Sequence, residues 1–146
     1  DVVIPRFTRS FGATLLPSDT KALSQFLRNA VAGEDIVLKS EGKQYYSYTY
    51  VADAVAGLLY ILLLGKSGEA YNVADLSCDI TLRDLASKIA GICGTKVVFE
   101  LPSELEAAGF SKATKARLDS TKLHALGWKP LFSLDTALEH TIAALR

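Results

Sequence analysis

One stretch of this chain, residues 42–74, constrains the fold more than any other. Gln44 to Tyr50 is rich in tyrosine and predicts a strand that carries polar and aromatic side chains. The apolar run that follows, from Val51 or Ala52 to Leu64, predicts a helix, and we expect Asp53 to cap it. Because this helix is apolar nearly all round, we expect neighbouring elements to cover most of its sides. Ala70 to Val73 then predicts a second short strand.

The other segments predict further short strands and helices. Val2 to Phe7 predicts a strand that runs into a loop from Thr8 to Pro17. Ile36 to Leu38 predicts a strand that could form a hairpin with the Gln44 strand, through a turn at Ser40 to Gly42. The remaining expectations are a helix from Ser18-Asp19 to Gly33, a helix from Thr81 to Gly94, a strand from Val97 to Phe99, weak helical character from Ser103 to Lys115, and helices capped by Asp119 and Ser133. With no repeat, low-complexity tract or linker, residues 1–146 are expected to form one unit.

The composition argues against two classes of partner. Sixteen basic and sixteen acidic residues balance, so no broad positive field exists to hold nucleic acid or an anionic membrane surface. An anionic ligand would have to be bound by individual arginines. No apolar run approaches the roughly 20 residues of a membrane-spanning helix. Cys78 and Cys93 lie far apart in sequence and indicate reduced thiols in the cytoplasm, with a disulfide left open.

The sequence offers neither a metal site nor a catalytic nucleophile. His124 and His140 lie on separate predicted helices with no partner at ligand spacing, so metal binding and base-activated nucleophilic catalysis are not expected. Gly65-Lys66-Ser67 follows a helix, and Tyr60 stands where a phosphate-binding loop needs its first glycine. The chain also has no Gly-rich dinucleotide-binding turn and no Tyr-x-x-x-Lys pair, so no catalytic residue is expected in it.

The segment from Arg6 to Ala13 resembles a motif of the extended short-chain dehydrogenase/reductases, the family of NAD-dependent nucleotide-sugar epimerases and dehydratases. That motif is a strand ending in Arg, then an Asn, then an aromatic-Gly-Pro turn. Arg6 fits the strand Arg, and Phe11-Gly12 fits the aromatic-Gly pair. Arg9 replaces the Asn that usually contacts the sugar or the diphosphate, and Ala13 replaces the Pro.

A second motif of the same family is similar to the tyrosine-rich strand. The matching residues are Gly42, Gln44, Ser47, Tyr48, Tyr50, Val51 and Asp53. Tyr46 replaces the Arg that in the family reaches the nucleotide phosphates. Weaker matches follow in the family's order at Glu69 to Val73, Thr81 to Ala90, Arg117 to Lys122 and Leu126 to Pro130. The resemblance therefore extends over essentially the whole chain.

This resemblance implies an α/β fold, the C-terminal portion of a Rossmann-type enzyme, with short mixed strands and about five helices. The N-terminal dinucleotide-binding sheet would be absent, and the start at Asp1 instead of Met leads us to expect a truncated or processed product. The parent enzyme would use NAD to oxidise a nucleotide sugar during epimerisation, dehydration or decarboxylation. Without its N-terminal half, the chain is expected to be inactive and to bind NAD poorly. A homodimer is a further expectation, since many members of the family dimerise.

The resemblance also implies which residues meet the ligands. The implied substrate-binding residues are Arg9, Leu38, Gln44, Tyr46 and Arg117, and the implied cofactor-binding residues are Phe7 and Thr8. Arginine suits a diphosphate because its planar fork donates paired hydrogen bonds and keeps its proton. We hypothesise that Arg9 partly compensates for the phosphate-binding arginine that Tyr46 replaces. Leu38 would act through the backbone of its strand.

Two alternatives stay open on the sequence. One is a non-catalytic, dehydrogenase-like module that senses a nucleotide or holds a partner protein. The other is a fragment of an NADP-dependent carbonyl reductase. This alternative stays open because the Asn, Pro and Arg of the family motifs are replaced in this chain. A Tyr-x-x-x-Lys pair upstream would argue against the non-catalytic module. Product analysis with sugar nucleotides and with carbonyl compounds would distinguish a carbonyl reductase from a nucleotide-sugar enzyme.

Overall fold

A computed structural model describes residues 1–14, 18–100 and 114–146 of the chain. The strands are β1 (Ile4–Phe7), β2 (Arg9–Phe11), β3 (Ile36–Leu38), β4 (Tyr45–Tyr50), β5 (Ala70–Val73), β6 (Asp79–Thr81), β7 (Val97–Phe99) and β8 (Lys115–Ala116). The α-helices are α1 (Ala22–Val31), α2 (Val51–Leu64), α3 (Leu82–Cys93), α4 (Thr121–His124) and α5 (Leu134–Leu145), and a 3₁₀ turn covers Leu76–Cys78. The predicted α/β class, with about five helices and short mixed strands, is confirmed for the described residues. The helical character expected from Ser103 to residue 113 lies outside them.

Strand β4 is the centre of the largest sheet. β2 pairs in parallel with its second half, and β8 pairs in parallel with its first residues. β6 pairs antiparallel along the opposite edge of β4. Two further parallel pairs, β1 with β5 and β3 with β7, stand apart from this sheet. Most pairings are therefore between strands distant in sequence.

Two strand predictions were wrong for this reason. The loop predicted from Thr8 contains strand β2, which forms because β4 offers it a parallel edge. Strands β3 and β4 do not form a hairpin, since each pairs with other strands. The segment that connects β3 to β4 is instead bound to the start of α3, where the N–H of Arg83 donates to the carbonyl of Gly42. A Cβ on Gly42 would lie only 2.8 Å from the Arg83 nitrogen. Gly42 has a φ of +69°, which favours glycine.

Helices α3 and α5 begin at the capping residues that the sequence predicts, whereas the predicted caps of α1 and α4 were wrong: the N-cap residues there are Lys21 and Ser120, not Asp19 and Asp119. The N–H of Asp84 donates to the Thr81 hydroxyl at 3.1 Å, so the predicted cap of α3 is confirmed. Gly94 ends α3 in the left-handed conformation, with a φ of +74°. The hydroxyl of Ser133 caps α5 by accepting from the N–H of Thr136 at 3.2 Å.

Two apolar clusters form the core. In the larger, helices α1, α3 and α5 pack on one face of β4, through side chains that include Leu27, Leu85, Ile89, Leu138 and Tyr48. The smaller cluster lies between α2, α4 and β5 and is centred on the fully buried Trp128. Gly57 allows this approach, because a Cβ there would come within 2.9 Å of Val73 and 3.4 Å of the Trp128 ring nitrogen.

Helix α2 is covered on one face only, so the prediction that its neighbours cover most sides was wrong. Ala54, Gly57 and Ile61 face the smaller cluster, and Asp53 is also buried. The opposite face is apolar yet exposed, and it comprises Val51, Ala52, Val55, Leu58, Leu59, Leu62 and Leu63. We call these side chains the α2 outer face; at its N-terminal end, Val51, Val55 and Leu58 border an open groove beside Phe7 and Ser10. No helix among the described residues is long and apolar enough to cross a membrane.

Asp53 does not cap α2, contrary to the prediction. Tyr50 holds the N-cap position, and no side chain caps it. The buried Asp53 carboxylate instead accepts from the backbone N–H groups of Leu131 and Phe132, at 2.8 and 3.3 Å. Its carbonyl also accepts from the Trp128 ring N–H at 3.2 Å. Asp53 therefore ties the start of α2 to the segment that leads into α5.

We expect Asp53→Ala to lower the free energy of unfolding by about 2–4 kcal/mol, because two N–H groups lose a charged acceptor inside the fold. Denaturant unfolding measures the change. The control is Glu139→Ala, since Glu139 is an exposed acid on α5. A loss at Asp53 no larger than the loss at Glu139 would contradict this role for the carboxylate.

Candidate functional site

The predicted binding residues Arg9, Tyr46 and Arg117 meet at one edge of β4. Strand β8 ends opposite Tyr46, and β2 begins opposite Tyr48, along the same edge. Between them lies a break in the strand pairing beside Ser47. Arg117 leaves β8 at this break and Arg9 enters β2 there. The register thus brings together residues that lie more than 100 positions apart in sequence.

Arg9 stacks on an aromatic ring at this break. Its guanidinium carbon lies 3.7 Å from the centre of the Tyr46 ring, within the range of a cation–π contact. The residue is exposed, and its guanidinium forms no ion pair with any carboxylate of the described residues. The ring fixes where the charge lies, while the edges of the guanidinium stay available as hydrogen-bond donors.

Tyr46 and Tyr48 lie on the face of β4 that packs against the larger core cluster. They are 7% and 2% exposed, as expected for alternate residues of one strand. Burial raises the pKa of Tyr48 to about 12, and the positive charge of Arg9 opposes this shift. The Tyr48 phenol therefore keeps its proton at neutral pH and remains a hydrogen-bond donor.

Arg117 lies on the other face of β4. Its guanidinium forms a salt bridge with Asp79, whose side chain is 2% exposed, and lies 5.6 Å from the Tyr45 ring centre. The Ser47 hydroxyl donates to the same carboxylate at 2.5 Å. Arg117 is thus anchored by a buried acid, and its charge is matched by that of Asp79.

The two remaining substrate-binding candidates are more enclosed. Leu38 is 3% exposed and belongs to the core, and its carbonyl accepts from the N–H of Glu100 at 3.0 Å. Gln44 immediately precedes β4, its side-chain oxygen accepts from Ser40 at 3.4 Å, and its carbonyl accepts from the N–H of Leu82. Leu38 lies in the β3–β7 pair, away from the Arg9 break. Both residues remain predictions.

The two cofactor-binding candidates lie between β1 and β2. Phe7 is 43% exposed and borders an open apolar groove of about 260 Å³, whose other walls are Ser10, Val51, Ala54, Val55 and Leu58. Thr8 points inward, where its hydroxyl lies 2.7 Å from that of Thr49. The Thr49 hydroxyl also accepts from the backbone N–H of Asp75. Phe7 can therefore contact a ligand, while Thr8 mainly joins β2 to the strand β4.

Two residues of this region were not singled out from the sequence. Asp79 carries no local signal, because its role depends on the antiparallel register that sets it opposite Ser47. Tyr48 matched a family motif, but its place beside Arg9 required the parallel register of β2 and β4. Elsewhere, burial and the neighbouring Asp75 hold the pKa of the Cys78 thiol well above its usual range. The described residues contain no group of three or more His, Cys, Asp or Glu arranged to hold a metal ion.

Comparisons with known proteins agree with this architecture. The family model of the NAD dependent epimerase/dehydratase family matches residues 1–74. The low-salt glycan biosynthesis protein Agl12 of Haloferax volcanii is 28% identical over 138 residues, covering 94% of this chain and 42% of that protein. The dTDP-glucose 4,6-dehydratase of Streptomyces niveus is 27% identical over 145 residues, covering 97% of this chain and 41% of that enzyme.

Solved structures show the same fold. UDP-glucose 4-epimerase of Thermotoga maritima, solved with UDP-glucose, has a TM-score of 0.81 at 23% identity, over 97% of this chain and 45% of that one. The dTDP-glucose 4,6-dehydratase of Bacillus anthracis, solved with NAD, has a TM-score of 0.80 at 17% identity, over 97% and 43%. The fold and the family match together define an epimerase/dehydratase-type α/β protein.

The chain belongs to the NAD dependent epimerase/dehydratase family. It spans about two-fifths of the length of the curated relatives Agl12 and the Streptomyces niveus dehydratase. The predicted family is confirmed.

The pair of Asp79 and Arg117 should couple more strongly than an exposed ion pair. In a double-mutant cycle with Asp79→Ala and Arg117→Ala, we expect a coupling free energy of about 1–2 kcal/mol, because Asp79 is almost fully buried. The matched control is Lys88 with Asp135, an ion pair of two exposed side chains at 2.6 Å, with an expected coupling of about 0.5 kcal/mol or less. Equal coupling in the two cycles would count against an anchoring role for Asp79.

Proposed function

We propose that this chain is the nucleotide-sugar-binding part of an NAD-dependent sugar-nucleotide epimerase, dehydratase or decarboxylase. The observation that carries the proposal is the match of nearly the whole chain to enzymes named for such reactions. Besides the dehydratases and the epimerase, these include a UDP-glucuronic acid decarboxylase of Xenopus tropicalis, 26% identical over 148 residues. The shared chemical class of the named substrates is a sugar joined to a nucleotide by a diphosphate.

The geometry at the β4 edge supports a role in binding such a substrate. Arg9 offers a positive charge held on Tyr46, and Arg117 offers a second guanidinium on the other face of the strand. Hydrogen bonds from charged donors are the strong ones for phosphate oxygens. Gln44 and the backbone of Leu38 are the proposed contacts to the rest of the nucleotide sugar.

The proposed cofactor is NAD, which supplies hydride transfer to and from the sugar when it is bound. The chain's own contribution is small, since no Gly-rich turn is available to hold the pyrophosphate. Phe7 fits one side of such a ligand, because its exposed ring borders an apolar groove. Phe7 and Thr8 are therefore proposed to border the nicotinamide end, while the remaining NAD contacts come from the other half of the enzyme.

The α2 outer face fits the proposal that an N-terminal half packs against this chain. The side chains of this face are all apolar and none is charged. An exposed apolar surface of this kind usually marks an interface with another part of the protein or with a partner. Strand β1 pairs with β5 along one edge, and no described strand pairs with its other edge. An N-terminal sheet that continues from β1 would cover both features. The acid and base residues, a Tyr and a Lys, are proposed to lie in that half, so the isolated chain is expected to be inactive.

The activity is tested on the full-length protein that contains this chain. It is incubated with NAD and, separately, with UDP-glucose, dTDP-glucose and UDP-glucuronic acid, and products are identified by mass spectrometry and NMR. We expect epimerisation, loss of water or loss of CO₂ with one of them, and no turnover with residues 1–146 alone. Reduction of simple ketones or lactones with NADPH, and no conversion of sugar nucleotides, would favour the reductase alternative.

The docking of an N-terminal half is tested with two exposed leucines. We expect Leu62→Lys to destabilise the full-length protein by about 2 kcal/mol or more, because a charge would be buried at the interface. Leu131→Lys is the matched control, since Leu131 is 80% exposed and Leu62 is 65% exposed, but Leu131 lies outside α2. We expect Leu131→Lys to change the free energy of unfolding by no more than about 0.5 kcal/mol. If both substitutions are equally harmless in thermal and denaturant unfolding, the α2 outer face is not an interface.

A further inference from the structure

A chain of hydrogen bonds runs from Thr8 into the interior of the fold. The Thr8 hydroxyl lies 2.7 Å from that of Thr49, and the Thr49 hydroxyl accepts from the backbone N–H of Asp75 at 3.2 Å. Thr49 is fully buried, whereas Thr8 is half-buried. Thr8 follows the carboxyl end of β1, and Asp75 lies just beyond the carboxyl end of β5. The chain therefore lies at the edge where ligands of open α/β sheets bind.

The direction of this chain follows from what each hydroxyl can donate and accept. A threonine hydroxyl has one proton to donate and two lone pairs with which to accept. If Thr8 donated to Thr49, the buried Thr49 proton would have no acceptor among the described residues. An unmade hydrogen bond of this kind is costly inside a protein. Thr49 therefore donates to Thr8, which leaves the proton of Thr8 for another acceptor.

The 3₁₀ turn holds the inner end of the chain. The Asp75 carboxylate accepts from the backbone N–H and the hydroxyl of Ser77, at 2.9 and 2.7 Å, and from the Cys78 thiol at 2.9 Å. These bonds fix the backbone N–H that Asp75 directs at Thr49. Because each hydrogen bond in a chain polarises the next one, a hydroxyl that accepts is also a stronger donor. The turn thus both orients and strengthens Thr8 as a donor.

The surroundings of Thr8 favour an acceptor that is not an anion. The groove that Phe7 borders has apolar walls apart from Ser10, and none of its walls is a basic residue. Asp75 is 2% exposed and forms no salt bridge with any described residue. Its negative charge and the apolar walls both disfavour an anion beside Thr8. A carbonyl group on a flat ring that packs against the Phe7 side chain fits these conditions.

We propose that Thr49 is a positioning residue which, with the backbone N–H of Asp75, fixes the Thr8 hydroxyl as a donor to the carboxamide oxygen of the nicotinamide ring. The identity of the ligand as NAD rests on the proposed function, while the direction of the hydrogen bonds rests on the side chains. Thr49 and Asp75 act on the cofactor only through Thr8.

The test compares two dinucleotides on the full-length protein, freed of bound dinucleotide, by isothermal titration calorimetry. The probes are NAD and thionicotinamide adenine dinucleotide, in which sulfur, a weak acceptor, replaces the carboxamide oxygen. We expect the wild-type protein to bind NAD about three- to tenfold more tightly than the thio analogue, since one neutral hydrogen bond is at stake. Thr8→Val should bring this ratio of affinities close to that of a protein without the bond.

The Thr49 variants test the positioning role itself. Thr49→Val should lower the ratio about twofold or more, because Thr8 loses the donor that orients and polarises it. Thr49→Ser keeps a hydroxyl and should keep the ratio. The matched control is Thr141→Val, since Thr141 is also fully buried and its hydroxyl donates to the carbonyl of Ala137 within α5. If Thr49→Val does not fold, Thr49→Cys takes its place, because a thiol donates and accepts only weakly.

The outcomes separate this role from the proposed function and from a loss of stability. A ratio that falls in Thr8→Val and Thr49→Val, and is kept in Thr49→Ser and Thr141→Val, supports the positioning role even if no nucleotide sugar is converted. A wild-type ratio in Thr8→Val or Thr49→Val overturns it, even if the enzyme converts a nucleotide sugar. Failure of the full-length protein to bind NAD also overturns it. A merely structural role of Thr49 would weaken the binding of both dinucleotides equally and leave the ratio unchanged.

Discussion

The pairing of β4 along both edges is the constraint on which the rest of this structure depends. One edge holds β8 and then β2, both parallel, and the other holds the antiparallel β6. This arrangement puts the core cluster on one face and the Ser47–Asp79–Arg117 contacts on the other. Because β8 and β2 follow each other along the same edge, backbone pairing is interrupted at the junction between them. Three of the candidate binding residues, Arg9, Tyr46 and Arg117, lie at that junction because of how the strands pair.

The parts of the fold that the sequence predicted are those with local causes. Helix α3 has its cap in Thr81 and its end in Gly94, both within its own residues, and these predictions were confirmed. Strand β2 and the partners of β3 depend on segments far along the chain, which no local pattern reveals. The predicted cap by Asp53 was wrong for the same reason: an acid near a helix start is usually a cap, but the Asp53 carboxylate accepts from the backbone of Leu131, 78 residues further along the chain. We did not predict the exposure of α2, because an all-apolar pattern indicates that a helix is buried without indicating which element covers it.

In the candidate site, too, the sequence predicted some features, while others depend on strand pairing between distant segments. Arg9 and Tyr46 could be chosen because both interrupt family motifs, but only the register between β2 and β4 brings them into contact. Arg117 was chosen from a weaker match, and its buried partner Asp79 was not foreseen, since only the antiparallel pairing of β6 with β4 sets Asp79 opposite Ser47. Tyr48 lay inside a recognised motif, yet only the register shows that it is the cross-strand neighbour of Arg9. Sequence patterns named the residues, and long-range pairing determined how they meet.

The replacements at positions 9 and 46 make physical sense as one exchange. The two side chains touch, with the Arg9 guanidinium carbon 3.7 Å from the centre of the Tyr46 ring. The arginine that the family motif carries at position 46 would bring a second positive charge against Arg9, and like charges at such a distance repel. Tyrosine removes that repulsion and adds an attractive cation–π contact. The number of positive charges near β4 is thereby conserved, while the charge moves from the central strand to its neighbour β2.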